Sequence, residues 1–204
     1  MRRPEVTTRS TTDKAMAAET GHTRAEWFRD IERSKADGRS AIGKYLLGRK
    51  VDPWWITVIT IEYEDHAGIV EKDGRAKGYS LCITKSVATP VTDVFRSFTV
   101  SSELDKWFGS RNDMALEEGG AYKNADGNRG LVKKVRPDKA LVLSWDATGF
   151  AEGSQVEVLF QPKGDKCGLV VNHTRVMTRK EADEVRAMWD EGLARLKSHH
   201  EVAT

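Results

Sequence analysis

The chain has 204 residues, of which 39% are hydrophobic and 31% charged, and this composition excludes disordered, collagen-like and coiled-coil chains. Its 33 Lys and Arg residues nearly balance its 31 Asp and Glu residues, so the formal charge of +2 gives no broad electrostatic reason to bind nucleic acid. Two cysteines, Cys82 and Cys167, are too few for a disulfide scaffold, and we interpret them as free thiols, with a single disulfide as the alternative.

Residues 1–20 are rich in Thr, Ser, Ala and charged side chains, with almost nothing to bury. We predict a disordered tail there. No apolar stretch follows Met1, so the segment does not have the pattern of a secretory signal. No apolar run in the chain approaches the ~20 residues of a membrane span. We therefore expect a cytoplasmic protein without a transmembrane segment.

Residues 21–70 have the pattern of a small helical domain. Thr23 and Glu26 have the spacing of a capping box, which satisfies two orphan N–H groups at a helix start. The apolar residues that follow recur at helical intervals. A second short helix is expected to end near Gly48.

The segment after Asp52 is ambiguous. Asp52 and Pro53 are typical of a helix start, and Gly68 is typical of a helix end. Residues 56–61, however, are β-branched and alternate like a strand. The distance of about 15 residues between start and end favours the helix.

Residues 71–78 are polar and interrupted by glycine, and we interpret them as a linker to a second domain over residues 79–200. A strand is predicted over Tyr79–Val87, then a helix opened by Pro90 and a second short helix. Short strands with turns of hairpin length follow as far as residue 176. This pattern is typical of an antiparallel sheet.

The clearest helical pattern closes the chain. Thr178 and Glu181 again have capping-box spacing, and apolar residues then repeat at helical intervals over about 20 residues. A long amphipathic helix of this kind is the natural cover for the apolar face of a curved antiparallel sheet.

The stretch that begins at Ile83 contains ITKSVATP, VTDVF and LDKWF. It resembles the opening of the helix-grip (START-like, Bet v 1-like, SRPBCC) proteins, and within them the branch named after the activator of Hsp90 ATPase. An acidic strand over 113–116, a Gly119-Gly120 turn and Asn-His-Thr at 172–174 follow in the order of that branch. The resemblance covers residues 79–200. It implies an α+β fold in which a curved antiparallel sheet wraps around the long C-terminal helix.

Residues 21–68 resemble a second unit, a small helical domain of unknown function found in bacterial proteins. The resemblance is carried by Thr-Gly-His-Thr at 20–23, Glu-Trp-Phe at 26–28, Pro-Trp-Trp at 53–55 and Glu-Tyr-Glu at 62–64. It supports the helix over 53–66 and implies no activity.

The helix-grip resemblance implies a mostly apolar cavity between the sheet and the C-terminal helix. The alternative is that the same large side chains simply fill a core, and a register shift of one residue would turn every strand residue to the other face. The candidate ligand-binding residues are Trp107, Phe108, Met114, Leu116, Tyr122, Leu143, Trp145, Val158, His173, Met188 and Trp189.

His173 is the strongest polar candidate of this set, because a histidine can orient a ligand or move a proton near neutral pH. A histidine held by hydrogen bonds within the sheet is the alternative. The chain has no nucleophile elbow, and its five histidines lack the spacing of metal ligands. We therefore predict no catalytic residue, no metal and no cofactor. A pocket-based cyclase or hydrolase that uses His173 with Tyr122 remains open.

Trp54 and Trp55 are adjacent, so on a helix they cannot face the same direction. One is expected to fill the core of the helical domain. The other docks either on the second domain or on a protein partner. Both are therefore candidate partner-binding residues.

Two classes of function lead. The first is non-enzymatic binding of a small hydrophobic or amphipathic molecule under the C-terminal helix, and the second is a co-chaperone or protein-interaction role like that of the Hsp90 activators. The eukaryotic activators carry an N-terminal domain rich in Asn and Trp, and nothing in residues 21–70 matches it.

Overall fold

The computed structural model describes residues 4–147 and 153–202. The chain divides into two compact units, a helical one over Thr7–Tyr79 and a second one that begins at Ser80. No helix in the described part of the chain combines the length and apolar character needed to cross a bilayer.

The first unit is helical and consists of α1 (Asp13–Thr20), α2 (Arg24–Ser34), α3 (Gly38–Gly48) and α4 (Pro53–His66). The prediction of a disordered tail over residues 1–20 is wrong for α1. Thr12 caps this helix by accepting a hydrogen bond from the Ala15 N–H, and Met16 is fully buried. Met16 enters a core that the other helices of the unit supply, and Glu19 and Thr20 of α1 accept hydrogen bonds from the indole N–H groups of Trp55 and Trp27.

The segment after Asp52 is a helix, not a strand. The Asp52 carboxylate accepts a hydrogen bond from the Trp54 N–H at 3.0 Å, and Pro53 occupies the first helical turn. Its β-branched residues Val58 and Ile59 are fully buried in the core of the helical unit. Tertiary packing thus overrides the β propensity of residues 56–61.

The predicted linker, residues 71–78, makes specific contacts with the helical unit. Val70 and Ala76 form an antiparallel bridge, and the Arg39 guanidinium donates a hydrogen bond to the Gly78 carbonyl at 2.6 Å. The bridge closes a short hairpin, and the bond to Gly78 ties the C-terminal end of the segment to α3.

The second unit has the α+β helix-grip fold that the sequence predicts. Its elements are β1 (Tyr79–Val87), α5 (Val91–Thr99), α6 (Ser101–Leu104), β2 (Asp113–Met114), β3 (Ala121–Lys123), β4 (Arg129–Arg136), β5 (Ala140–Trp145), β6 (Ser154–Lys163), β7 (Lys166–Val176) and α7 (Arg179–Val202). The seven strands form one sheet in the order β1-β7-β6-β5-β4-β3-β2. The first strand, β1, therefore forms one edge of the sheet and lies beside the last strand, β7. Cys82 on β1 and Cys167 on β7 are both free thiols, as predicted.

The register of the central strands turns one row of side chains toward α7. Leu143 on β5 lies opposite Val156 on β6, which lies opposite His173 on β7. All three are buried. α7 begins with the predicted capping box, in which the Thr178 N–H donates to Glu181 at 3.0 Å and the Glu181 N–H donates back to the Thr178 hydroxyl. Its apolar stripe is buried from Ala182 to Leu196.

Candidate ligand-binding site

A small apolar cavity lies between the inner face of the sheet and α7. The wall of the sheet comes from β2, β3, β5 and β6, and the other side from α5, α6, residues 105–108 and α7. The lining residues are Phe98, Leu104, Trp107, Phe108, Met114, Tyr122, Leu141, Leu143, Trp145, Val156, Val158 and Trp189.

Eight of the eleven residues proposed from the sequence line this cavity: Trp107, Phe108, Met114, Tyr122, Leu143, Trp145, Val158 and Trp189. His173 and Met188 are buried but are not among the lining residues. Leu116 does not line the cavity, and its side chain is 41% exposed. β2 ends at Met114, so the alternation that was extended to Leu116 stops before it.

Sequence reasoning missed four lining residues: Phe98, Leu104, Leu141 and Val156. Two of them carried a usable signal. Leu141 shares its strand face with Leu143, and Val156 shares its face with Val158, because side chains two apart point the same way. Extending the alternation along β5 and β6 would have found both.

The cavity is small because its aromatic walls pack against one another. Its volume is about 20 Å³, enough for roughly one water molecule. Phe108 stacks on Trp189 at 5.1 Å between ring centroids, and Trp145 stacks on Tyr122 at 5.5 Å. The bulk of the predicted pocket is thus a packed aromatic core.

Tyr122 is held as a neutral phenol. Its hydroxyl donates to the Asn112 Oδ1 at 3.0 Å and accepts from the Asn124 Nδ2 at 3.1 Å. Burial raises its pKa well above the usual value of 10. Asn112 is fixed in turn by Asp105, whose carboxylate accepts from both its backbone N–H and its Nδ2. The phenol therefore anchors the segment 105–112 to β3 and is a poor proton acceptor.

His173 lies in a chain of hydrogen bonds that determines its tautomer. Trp189 can only donate, so the Nδ1 of His173 accepts its indole proton at 3.1 Å. The Nε2 then carries the proton and donates to the Ser154 hydroxyl at 3.1 Å, which donates to the Trp145 carbonyl. Burial lowers the pKa of His173 to about 3, so the ring is neutral at pH 7. This arrangement matches the alternative of a histidine held by hydrogen bonds within the sheet.

Four side chains that line the cavity carry polar N–H or O–H groups. Three have partners: Trp189 donates to His173, Tyr122 to Asn112, and Trp107 to the Ser97 carbonyl at 2.9 Å. The fourth, the indole N–H of Trp145, is buried and has no acceptor within residues 4–147 and 153–202.

A polar groove of about 310 Å³ lies where the end of α7 meets α5 and α6. The Nε2 of His200 is 2.9 Å from the Ser97 hydroxyl, and burial lowers the pKa of this histidine. The groove carries charges of both signs, from Asp93 and Glu103 to Arg96. The mixed charges select no class of ligand. No group of three or more His, Cys, Asp or Glu side chains among the described residues is arranged to hold a metal ion.

Trp54 and Trp55 lie in the helical unit. Trp55 is fully buried, and its indole N–H donates to Glu19 at 3.1 Å, so it fills the core and is not on a partner-binding surface. Trp54 is half-buried and contacts Trp55 edge to face. The guanidinium of Arg9 lies 4.6 Å from its ring centroid. Of the two residues, only Trp54 presents surface.

Known structures share this fold over somewhat more than half of the chain. CalU16 from Micromonospora echinospora is 26% identical, with a TM-score of 0.53, over 57% of this chain and 73% of CalU16. An Hsp90 activator from Plasmodium falciparum is 21% identical, with a TM-score of 0.55, over 59% of this chain and 95% of the activator. Aha1 from Colwellia psychrerythraea, solved as a dimer in solution, is 16% identical, with a TM-score of 0.54, over 61% of this chain and 97% of Aha1. The last two likenesses show the fold alone.

None of the curated protein sequences compared with the chain matches it. The family model described as Activator of Hsp90 ATPase homolog 1-like protein matches residues 88–201, which is more than half of the chain and contains every residue of the cavity. The chain therefore belongs to the activator of Hsp90 ATPase homolog 1-like family.

Proposed function

We propose that the helix-grip unit binds a small apolar molecule beneath α7, without catalysing a reaction on it. The observation that carries this proposal is the incompletely filled cavity, which is walled by aromatic rings and presents only apolar surface. A mostly apolar enclosure with few polar groups is typical of small-molecule sites. The two groups that were candidate acid–base catalysts, His173 and Tyr122, are neutral and spent on internal hydrogen bonds.

A ligand larger than water must displace side chains, because the cavity holds only about 20 Å³. Met114 is the most suitable residue to move. It lines the cavity, is half-buried at the end of the two-residue strand β2, and is unbranched, so it changes rotamer at low cost. Each Å² of apolar ligand surface removed from water stabilises the complex by roughly 25 cal/mol, which offsets the cost of moving Met114. We expect the ligand to enter beside Met114.

Titration of the ¹⁵N-labelled full chain with methylenecyclohexane, a neutral hydrocarbon, tests the proposal. We expect the amide signals of β5 and β6 and the indole signals of Trp145 and Trp189 to shift saturably. Val158→Leu fills the cavity with one extra methylene and should weaken binding at least about fivefold. The matched control is Val142→Leu, on the neighbouring strand β5 but on the half-exposed outer face of the sheet, and it should leave binding unchanged.

Absence of saturable shifts in both the wild-type protein and a Met114→Ala variant would reject the proposal. Met114→Ala enlarges the entrance, so this pair of results separates a cavity that is too tightly closed from one that does not bind. Native mass spectrometry of protein purified from cells, without added ligand, gives an independent test through any retained mass.

A protein-interaction role is the second candidate, and it is favoured by two exposed leucines. Leu131 on β4 pairs with Ala121 on β3, and Leu116 lies in the loop just before β3. Both are more than 40% exposed. If this candidate is right, Leu116→Ser with Leu131→Ser abolishes an effect of the protein on the ATPase rate of Hsp90. No change in that rate on addition of the wild-type protein would end this candidate.

A further inference from the structure

We infer that the outer face of β4 is a docking surface for an acidic segment of a partner protein, in which carboxylates flank an apolar side chain. This inference rests on the protein-interaction candidate and is independent of the apolar cavity. The surface consists of four exposed cations, Arg129, Lys133, Lys134 and Arg136, with the exposed Leu131 between the first two.

The cations of β4 are not neutralised within the fold. The strand carries no acidic residue, and none of its four cations has an ion pair within residues 4–147 and 153–202. On the neighbouring strand β3, by contrast, Lys123 pairs with Asp113 at 3.5 Å. Like charges along one strand repel each other, and an anionic partner relieves that repulsion without breaking internal ion pairs.

A β-bulge places part of this charge on the outer face. Val132 lies opposite Leu143 on the inner face, and the register then shifts, so that Lys134 lies opposite Val142. In a regular ladder Lys134 would lie opposite Leu141, whose side chain lines the cavity. The extra residue therefore turns this lysine outward and leaves the preceding lysine exposed beside it.

An apolar side chain lies among the cations. Leu131 is 43% exposed and pairs with Ala121 on β3. Arg129 lies two residues before it on the same face, roughly 7 Å away along the strand, and Lys133 is exposed two residues after it. Apolar contact at the centre with charges around it is the usual arrangement of a protein interface. A partner segment that places carboxylates on both sides of an apolar residue matches this order.

The surroundings of β4 favour a protein over a nucleic acid or a membrane. Along the described strands β3 to β6 no outward position holds an aromatic residue, so unpaired bases have no ring on which to stack. Glu117 and Glu118 are exposed in the turn before β3, and the Gly119 N–H holds this turn beside β4 by donating to the Val132 carbonyl at 2.8 Å. These carboxylates repel phosphodiesters and anionic lipids, whereas a protein segment can neutralise them with a basic side chain.

Two capped peptides test the inference. The first has three glutamates on each side of a leucine, and the second has serine in place of that leucine. Each is titrated into the ¹⁵N-labelled full chain at low ionic strength, because 0.1 M salt screens surface charges beyond about 10 Å. We expect saturable shifts of the amide signals of β3 and β4, with tighter binding of the leucine peptide.

Lys133→Glu with Lys134→Glu should weaken binding of the leucine peptide at least about tenfold, since attractive contacts become repulsive. The matched control is Lys44→Glu with Arg186→Glu, which makes the same change in net charge at exposed positions on α3 and α7. It should weaken binding less than about twofold. Leu131→Ser should weaken the leucine peptide about threefold and leave the serine peptide unchanged.

Equal weakening by the lysine variant and its control would overturn the inference, because the peptide would then respond to net charge alone. Absence of saturable binding of both peptides would also overturn it. So would tighter binding, through the same lysines, of an oligothymidylate of equal charge or of vesicles containing phosphatidylserine, because the partner would then be a nucleic acid or a membrane.

The other proposals are tested separately from this one. The lysine variant should bind methylenecyclohexane as the wild-type protein does, so the cavity proposal is tested without the peptides. An effect on the ATPase rate of Hsp90 that persists in the lysine variant would overturn this inference and leave the protein-interaction candidate standing. A circular dichroism spectrum and a thermal unfolding curve establish that each variant is folded.

Discussion

The indole N–H of Trp189 on α7 donates to the Nδ1 of His173 on β7 at 3.1 Å, and this bond joins the long helix to the sheet through two fully buried side chains. It also decides the chemistry of His173. Because Nδ1 is an acceptor, the ring proton lies on Nε2. This N–H donates a hydrogen bond to the Ser154 hydroxyl. The histidine is thereby a fixed structural connector, whereas the indole N–H of the neighbouring Trp145 has no acceptor in the described parts of the chain.

Trp189→Phe is expected to lower the free energy of unfolding more than Trp145→Phe does. Both variants remove the same atoms from the same aromatic core, but only Trp189→Phe leaves a buried acceptor, His173 Nδ1, without its donor. The difference should be about 1–3 kcal/mol, measured by urea unfolding. Equal losses in the two variants would show that the Trp189–His173 bond contributes nothing to stability.

The stability of the second unit should fall on acidification because of His173. Burial lowers the pKa of His173 in the folded state to about 3, whereas in the unfolded chain it has the usual value of 6.5. Between these pH values the unfolded state therefore binds more protons than the folded state. Stability is therefore full above pH 6.5 and decreases by up to about 1.4 kcal/mol per pH unit below it.

His173→Gln should remove this contribution, since an amide can still accept from Trp189 and donate to Ser154 without titrating. The measurement is the free energy of unfolding at several pH values from 4.5 to 7.5, in both proteins. The carboxylates titrate in both proteins, so the difference between the two curves isolates His173. Parallel curves would contradict the assignment of a neutral, buried imidazole.

The buried carboxylate of Glu64 in the helical unit depends on Arg39. The guanidinium contacts it through Nε at 2.8 Å and through Nη2 at 2.6 Å, and Glu64 is 3% exposed. Arg39→Met should cost about 3 kcal/mol, because among the described residues it leaves the buried charge with only Lys77, at 3.6 Å, as an ion-pair partner.

The double variant Arg39→Met with Glu64→Leu should recover most of that loss, since it removes both charges together. Urea unfolding followed through NMR signals of α2 and α4 gives the free energy of unfolding of the helical unit itself. A double variant as unstable as the single one would mean that packing of the arginine stem, not the ion pair, carries the energy.

Gly130→Ala should be among the most destabilising single substitutions in the sheet. A Cβ at this position on β4 would lie 1.9 Å from the Ser144 carbonyl oxygen on β5, and backbone cannot move aside cheaply. We expect a loss of about 4 kcal/mol or more, seen as insoluble protein or a much lower Tm.

Gly168→Ala on β7 is the matched control. Its Cβ would meet only the flexible end of Lys163, so we expect a change of less than about 1 kcal/mol. Similar Tm values for the two variants would show that the strands at Gly130 separate more easily than the close approach to Ser144 implies.

Local signals in the sequence determined most of the elements of this protein. The capping boxes at Thr23 and Thr178 and the alternation of Tyr79–Val87 depend on neighbours three or four residues apart at most, so the starts of α2 and α7 and the bounds of β1 could be predicted. The ordered set of family motifs extended this to the whole helix-grip fold and to eight residues of the cavity wall.

Tertiary structure alone decided the features whose partners are distant in the chain. Met16 orders α1 only because α2 to α4 surround it. Leu116 leaves the core because β2 stops at Met114, and the small cavity results from aromatic rings contributed by separate elements. The role of His173 depends on a tryptophan 16 residues away on another element. Hydrophobic pattern determines which face a residue takes, but the space and the hydrogen-bond partners on that face are set by side chains that meet only when the chain has folded.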